Sequence, residues 1–345
     1  MKILKKLLNF ITFLFFICLW SNIAHAAITL TYASNGPEQS IRGEAEKLFL
    51  DEIERQSNGK IKISAFWSNT LVSAPEALKA VQDGVVDMAF INPFFYPKAL
   101  PFWNAIPLNS FGPTKGEEII SLYNELYDKI PELSDDLKKN KQFAPFIFAS
   151  DCYSFVSTKK IDNISQLKGL KSRASSRWKL ADFNAMKSTP VSIPWSECYM
   201  SLQTKTIDTV CTSLESNHRG KLYEVAPYLW VWDKMWGGMP YLITININKF
   251  NKLDKELQDA IIKAGKIANQ KFAQKYDSDI EYELKDMEKK GVIITYATEQ
   301  DYRDWANLPS TKENFNTWLK EAKTSNLPNA EQVITNIKMI VESKL

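Results

Sequence analysis

The longest helical pattern in the sequence runs from about Leu253 to Lys290 and is followed by Gly291. Apolar residues recur along it at helical spacing, and a glycine just past the last turn is a common C-terminal signal. Because a helix rises about 1.5 Å per residue, this one would exceed about 50 Å, which is longer than one ordinary domain is wide. We therefore expect it to run along two domains.

Strand and helix patterns alternate ahead of this helix. The stretches "ITLTYA" (28–33), "KIKISAF" (60–66) and "VDMAFI" (86–91) have the composition of short strands, and amphipathic helical patterns separate them. One of these helices, "APEALKAVQDG", has a proline at its start and a glycine past its end, as helices commonly do. This order is typical of an α/β fold with a mainly parallel sheet and helices on its faces.

One phrase of the sequence occurs twice. "ALKAVQDGVVDMAF" (77–90) aligns without a gap with "CYMSLQTKTIDTVC" (198–211), and Asp87 matches Asp208. Each copy has the pattern helix, turn, aspartate, apolar strand. The residue preferences of any helix followed by a strand could alone produce such a match. Together with the length of the chain, however, the match favours two similar α/β domains over one large sheet.

The first 26 residues have the pattern of a cleaved secretory signal peptide. Lys2, Lys5 and Lys6 precede the apolar run 7–20, and the small-residue exit ends at Ala26. Loss of three lysines leaves 40 basic and 40 acidic residues in the mature chain. Such a balance provides no basic field for nucleic acid or an anionic membrane surface, and no second apolar run is long enough to span a bilayer. We expect an exported, soluble protein.

The residue types used by common catalytic and metal sites are scarce. His25 leaves with the signal peptide, so His218 is the one histidine of the mature chain. Cys152, Cys198 and Cys211 have no C-x-x-C spacing. One disulfide with one thiol, or three thiols, would both fit this odd count. The sequence predicts no metal site and no cofactor, and it lacks the G-x-S-x-G nucleophile motif.

Several stretches, in order over nearly all of the mature chain, resemble the solute-binding proteins of tripartite ATP-independent periplasmic (TRAP) transporters, of the dicarboxylate-receptor type. They are "GKIKISAF", "EALKAVQDGVVDMAFI", "ISQLKGLKSRASS", "STPVSIPWSECYMSLQTKTIDTV" and "YLITININKFNKLDKELQDAIIKAGKIANQKF". The resemblance implies two α/β lobes with a cleft between them and a long helix that bridges both. Lobe I would contain 27–150 plus about 239–278, and lobe II 151–238 plus about 279–345.

The resemblance also implies a function. The protein would be a monomeric periplasmic receptor, not an enzyme, that binds a small organic acid. It would deliver this acid to the small and large membrane subunits of a sodium-driven transporter.

The resemblance supplies candidate binding residues as well. Arg173, at the end of the "LKGLKSR" strand, matches the arginine that binds the substrate carboxylate. Trp195 matches an aromatic position that packs on the ligand, and Asn35 and Asn92 match polar cleft positions. Trp67 lies where the family usually has a Pro-Gly-Gly-type loop. A lone tryptophan or asparagine is equally typical of a core or cap position.

Two departures from the family pattern concern the site. Tyr153 stands where many members have a second arginine, and Thr212 stands where they have an asparagine. Both are therefore candidate binding residues. The departures lead us to expect a clamp with one arginine and a monocarboxylate with an apolar or aromatic body.

Two other classes of protein remain as alternatives. A secreted enzyme that uses paired carboxylates would turn over its ligand, which calorimetric titration beside a turnover assay would reveal. A sensory ligand-binding module would continue into a transmembrane segment, which we do not expect here.

Overall fold

The computed structural model describes residues 27–150, 152–235 and 239–344, and the predicted signal peptide lies outside them. The strands are β1 (Ile28–Ala33), β2 (Ile61–Phe66), β3 (Met88–Ile91), β4 (Gln142–Ala149), β5 (Tyr153–Ser157), β6 (Lys171–Arg173), β7 (Thr189–Val191), β8 (Thr209–Ser213), β9 (Tyr228–Trp232), β10 (Pro240–Asn246) and β11 (Ile293–Tyr296).

Helices separate most of these strands. The α-helices are α1 (Ile41–Gln56), α2 (Ala77–Asp83), α3 (Gly116–Lys129), α4 (Pro131–Lys139), α5 (Arg177–Ala185), α6 (Cys198–Gln203), α7 (Leu214–Arg219), α8 (Ile247–Asn251), α9 (Lys255–Lys289), α10 (Glu299–Ala306), α11 (Pro309–Thr324) and α12 (Ala330–Glu342). Short 3-10 helices cover Pro93–Phe95, Trp103–Leu108, Ile164–Leu167, Trp195–Glu197 and Leu222–Glu224.

The strands form two sheets, one in each lobe. The first has the order β2-β1-β3-β10-β4, in which β10 runs antiparallel to its neighbours. The second has the order β11-β9-β5-β8-β6-β7, in which β5 is antiparallel to β8 and β9. The predicted two-lobed α/β fold is confirmed.

The aspartate of the repeated sequence stretch makes the same kind of hydrogen bond in both lobes. Asp87 precedes β3 and accepts a hydrogen bond from the Thr31 amide of the neighbouring strand β1 at 2.8 Å. Asp208 precedes β8 and accepts one from the Lys171 amide of β6 at 2.9 Å. In each case a carboxylate receives a backbone N–H of the adjacent parallel strand, which would otherwise lack a partner. The aspartates therefore help to fix how the neighbouring strands align.

Three segments ahead of the C-terminal helices connect the lobes. The chain leaves the first sheet after Ala149 and returns to it at Pro240, and the two crossings are paired because the Ser150 amide donates to the Met239 carbonyl at 3.2 Å. The third connection is α9, which packs on α1, α3 and β4 of lobe I and on α7 of lobe II. The prediction that the long helix bridges both lobes is thus confirmed. No helix in the part of the chain that the structure describes is both long and apolar enough to cross a bilayer.

The C-terminal segment divides between the lobes. Trp305 of α10 lies in an aromatic core of lobe II. In contrast, Val333 and Ile337 of α12 lie in the core of lobe I, where α12 packs on α3. The whole of 279–345 is expected in lobe II from the sequence, so the last helix differs from that assignment. It does so because its apolar face meets the exposed side of α3.

The contact between α9 and lobe I depends on a glycine. A Cβ atom on Gly265 would lie 1.9 Å from the carbonyl oxygen of Pro145 in the edge strand β4. Backbone cannot yield as a flexible side chain does, so we expect Gly265→Ala to destabilise the protein by about 1–3 kcal/mol. An ordinary helical Gly→Ala change would instead stabilise it by about 0.5–1 kcal/mol.

The urea midpoint of unfolding measures this difference, with Lys263→Ala, an exposed change on the same helix, as the control. A Gly265→Ala midpoint equal to or above that of the control would show that helix and strand do not approach so closely.

Candidate functional site

The predicted binding residues come together at the carboxyl ends of strands in both lobes. Asn35 and Asn92 follow β1 and β3, which are parallel neighbours in lobe I. Arg173 is the last residue of β6, and Thr212 lies near the end of its parallel neighbour β8 in lobe II. The carboxyl ends of parallel strands are the usual location of ligand sites in α/β folds.

These four side chains and Trp195 line one cavity. The remaining lining residues are Arg42, Phe90, Phe95, Ser175, Ser216, Arg219, Met239 and Tyr241. The cavity therefore receives residues from both lobes.

Arg173 is a buried cation whose hydrogen-bond acceptor carries no charge. It is 4 % exposed, and its Nε and Nη2 atoms both donate to the Ile193 carbonyl at 3.2 Å. The structure gives it no ion pair with a carboxylate among the described residues. A buried charge without a countercharge is costly. The arrangement therefore favours an anion in the cavity.

Trp195 lies close to two guanidinium groups. It begins a 3-10 turn after Pro194, and its ring centroid lies 5.8 Å from the Cζ atom of Arg173 and 5.6 Å from that of Arg219. Gly220 makes room for the ring, since a Cβ atom there would lie 2.7 Å from the indole. Both cations are within the range of cation–π attraction, so the indole helps to hold them in place.

Arg42 lies in the first turn of α1, which Ser40 caps. Its Nη2 donates to the Asn35 side-chain oxygen at 2.9 Å, and its Nε lies 3.0 Å from Oε1 of Glu46. Its Cζ atom also lies 4.2 Å from the ring centroid of Phe90. These contacts hold a buried guanidinium at the cavity wall.

Glu46, which holds Arg42, has no solvent exposure and also accepts a hydrogen bond from the Tyr32 hydroxyl at 2.6 Å. Burial raises the pKa of Glu46 above its ordinary value, while the charge of Arg42 opposes that rise. A carboxyl group buried in this way depends on its cationic partner.

Arg219, at the end of α7, is the third arginine of the cavity. Its Nε lies 2.8 Å from Oε1 of Glu215, one turn earlier in the same helix. Arg42 and Arg219 line the same cavity as Arg173, whereas the sequence led us to expect one arginine there; a clamp with a single arginine stays a prediction. Each of the two has a glutamate four residues away in the sequence. Such pairs usually lie on exposed helix faces, so the sequence offered no signal for them.

Two predicted residues lie outside this cavity. Tyr153 is 2 % exposed in the aromatic core of lobe II, its ring 5.6 Å from the Lys179 ammonium, and burial raises the pKa of its hydroxyl. Trp67 is half-buried and meets Tyr32 edge-on, with ring centroids 5.7 Å apart. Both side chains pack against protein rather than line the cavity.

The three cysteines that the structure describes are buried. No disulfide joins Cys152, Cys198 or Cys211. Burial raises the pKa of Cys211 to about 12, so this thiol stays protonated at neutral pH. Within residues 27–344, so far as the structure describes them, no three His, Cys, Asp or Glu side chains are grouped to hold a metal ion.

Comparisons with known proteins agree with this geometry. A model of the family "Bacterial extracellular solute-binding protein, family 7" matches residues 32–313. The 2,3-diketo-L-gulonate-binding periplasmic protein of Escherichia coli is 24% identical over 292 residues, which cover 83% of this chain and 86% of that protein.

Solved structures share the fold. A TRAP periplasmic solute-binding protein from Desulfovibrio salexigens with bound orotic acid has a TM-score of 0.80 at 18% identity, covering 92% of this chain and 99% of the other. A TRAP solute-binding protein from a marine metagenome, specific for aromatic acid ligands, has a TM-score of 0.80 at 20% identity, with the same shares covered.

The buried pair of Arg42 and Glu46 gives a testable prediction. Glu46→Ala would leave the Arg42 guanidinium buried without its countercharge, so we expect a loss of about 3–5 kcal/mol in the free energy of unfolding. Glu44, on the same helix, pairs with Lys275 at the surface with 58% of its side chain exposed. Glu44→Ala should therefore cost less than about 1 kcal/mol.

Urea unfolding of both variants makes the comparison. Equal midpoints for the two would contradict the burial and pairing of Glu46.

Proposed function

Because the chain belongs to the bacterial extracellular solute-binding proteins of family 7, we propose that it is the solute receptor of a TRAP transporter and binds a small organic acid between its lobes. The observation that carries the proposal is Arg173, a buried guanidinium in the interlobe cavity whose hydrogen bonds run to a neutral carbonyl. A carboxylate of the solute would supply the missing negative charge.

The shape of the arginine side chain suits this task. A guanidinium presents its N–H donors in a rigid plane, which orients a carboxylate as the point charge of a lysine cannot. The Ile193 carbonyl occupies Nε and Nη2, so the Nη1 amine has donors for the solute. Asn35, Asn92, Thr212 and Trp195 would complete the contacts from both lobes. Tyr153 and Trp67 would act at most by supporting the cavity from behind.

Binding between lobes implies a movement. The paired crossings near Ser150 and Met239 are narrow connections, and α9 is a continuous element along both lobes. Such an arrangement permits hinge closure around a ligand. A solute that contacts both lobes would favour the closed form by its additional contacts there.

Membership of an extracellular solute-binding family supports a place of action outside the cytoplasm. As an exported periplasmic monomer, the receptor would carry the acid to the small and large membrane subunits, which a sodium gradient would drive. It would act by binding and release without chemical change of the solute.

Substitution of Arg173 tests the proposal. A thermal-shift screen of organic acids would identify a ligand, since saturation at 100 times the dissociation constant adds about 2.7 kcal/mol. Truncation of one partner of a buried charge pair costs on the order of 2–5 kcal/mol, so Arg173→Ala should weaken binding more than tenfold. Arg173→Lys should recover only part of this loss, because it restores the charge without the planar fork.

The control is Arg177→Ala, four residues away. Arg177 pairs with Glu321 at the surface and does not line the cavity, so calorimetric titration should give wild-type affinity for this variant. Wild-type affinity for Arg173→Ala would instead exclude Arg173 as the carboxylate ligand.

A further inference from the structure

The two additional arginines of the cavity indicate what chemistry the far end of the solute would have. We propose that Arg42 and Arg219 form a second binding position, made by both lobes, for an oxygen acceptor group, so that the solute is an acid with a polar, oxygen-bearing far end. This inference rests on the proposed function, because it assumes that Arg173 binds the first carboxylate.

Arg219 presents its terminal amines to the cavity. The one side-chain hydrogen bond that the described residues give it runs from Nε to Glu215, at 2.8 Å. Because the carboxylate binds at Nε, on one side of the guanidinium, the N–H groups of both Nη atoms remain for other acceptors. The side chain is 16% exposed, so these donors have little water to bind and gain from an acceptor.

Arg42 repeats the arrangement from the opposite lobe. Its Nε lies against Glu46 and its Nη2 donates to Asn35, which leaves Nη1. The two helices contact each other across the cleft, and both arginines line the same cavity. Burial lowers the pKa of Arg219, but interactions with Glu215, Tyr241 and, more weakly, Glu46 raise it further than burial lowers it. Residues of α1 of lobe I and α7 of lobe II therefore bring donors to one cavity.

The contacts of Trp195 limit the separation of the two positions. Arg173 and Arg219 lie 5.8 Å and 5.6 Å from its centroid, so their Cζ atoms cannot be farther apart than these two distances together. A small acid can span that gap. The indole is engaged by two cations, which leaves less of its surface for an apolar ligand body than the sequence leads us to expect.

The charge balance favours an acceptor over a hydrocarbon. Arg42 and Arg219 are each neutralised by a glutamate, so the second position attracts a group through its N–H donors rather than through net charge. Carbonyl, carboxamide and carboxylate oxygens all satisfy such donors. A methyl group in their place would leave buried donors without partners, which costs about 1–3 kcal/mol per group.

Three matched series of linear acids test the inference by calorimetric titration of the mature protein. They are the diacids succinate, glutarate and adipate, their half-amides, and the monoacids butyrate, pentanoate and hexanoate. We expect the best diacid and the best half-amide each to bind at least tenfold more tightly than the monoacid of equal length. Arg219→Gln should lower their affinity at least tenfold and change that of the monoacid less than twofold.

Two further variants separate ligand binding from folding. Glu215→Gln keeps Arg219 but removes its countercharge, so glutarate affinity should be retained or increased. A purely structural ion pair would give the same loss as Arg219→Gln. Arg177→Gln removes the same charge outside the cavity and should leave all affinities unchanged. If Arg219→Gln does not fold, as judged by its thermal transition, the Glu215→Gln result decides the question.

The failures are distinguishable. Monoacids that bind as tightly as diacids and half-amides of equal length would overturn the second position and leave the proposed acid receptor intact. Absence of binding by all nine acids at millimolar concentration would overturn the second position, and absence of binding by every acid of the thermal-shift screen would overturn the proposed function.

Discussion

The site depends on one electrostatic constraint: the Arg173 guanidinium is 4 % exposed, and a buried charge without a countercharge is costly. Within the described residues, Arg42 and Arg219 obtain theirs from glutamates of their own helices, whereas Arg173 has a backbone carbonyl and an indole ring. Neither of these neutralises it. The position of Arg173 is therefore costly unless an anion enters from outside.

The fold delivers Arg173 to that position through backbone geometry. Asp208 binds the Lys171 amide and so fixes the start of β6, a strand of three residues that ends at Arg173. Asp87 performs the corresponding task for β1, after which Asn35 enters the cavity. The same aspartate–amide hydrogen bond, present once in each lobe, thus aligns two sets of strand ends across the cleft.

Much of this was accessible from the sequence, for identifiable reasons. Helical and strand periodicity gave the long helix and the strand at 28–33 because both depend on local patterns. The family motif identified Arg173, which lies in the cavity with Trp195, Asn35, Asn92 and Thr212.

What the sequence could not supply arises from the approach of distant segments. The pairs Arg42–Glu46 and Glu215–Arg219 have the spacing of ordinary surface pairs, and they become cavity walls only because the lobes face each other. Tyr153 is enclosed because β5 lies inside the second sheet, between β8 and β9. The last helix lies in lobe I because its apolar face packs on α3 there.

A crystal structure of the mature protein with the acid that stabilises it most would test the central claim directly. The account predicts a carboxylate oxygen within about 3 Å of the Arg173 guanidinium, with the acid enclosed by residues of both lobes. An acid bound elsewhere, or bound in this cavity with a neutral group facing Arg173, would contradict it.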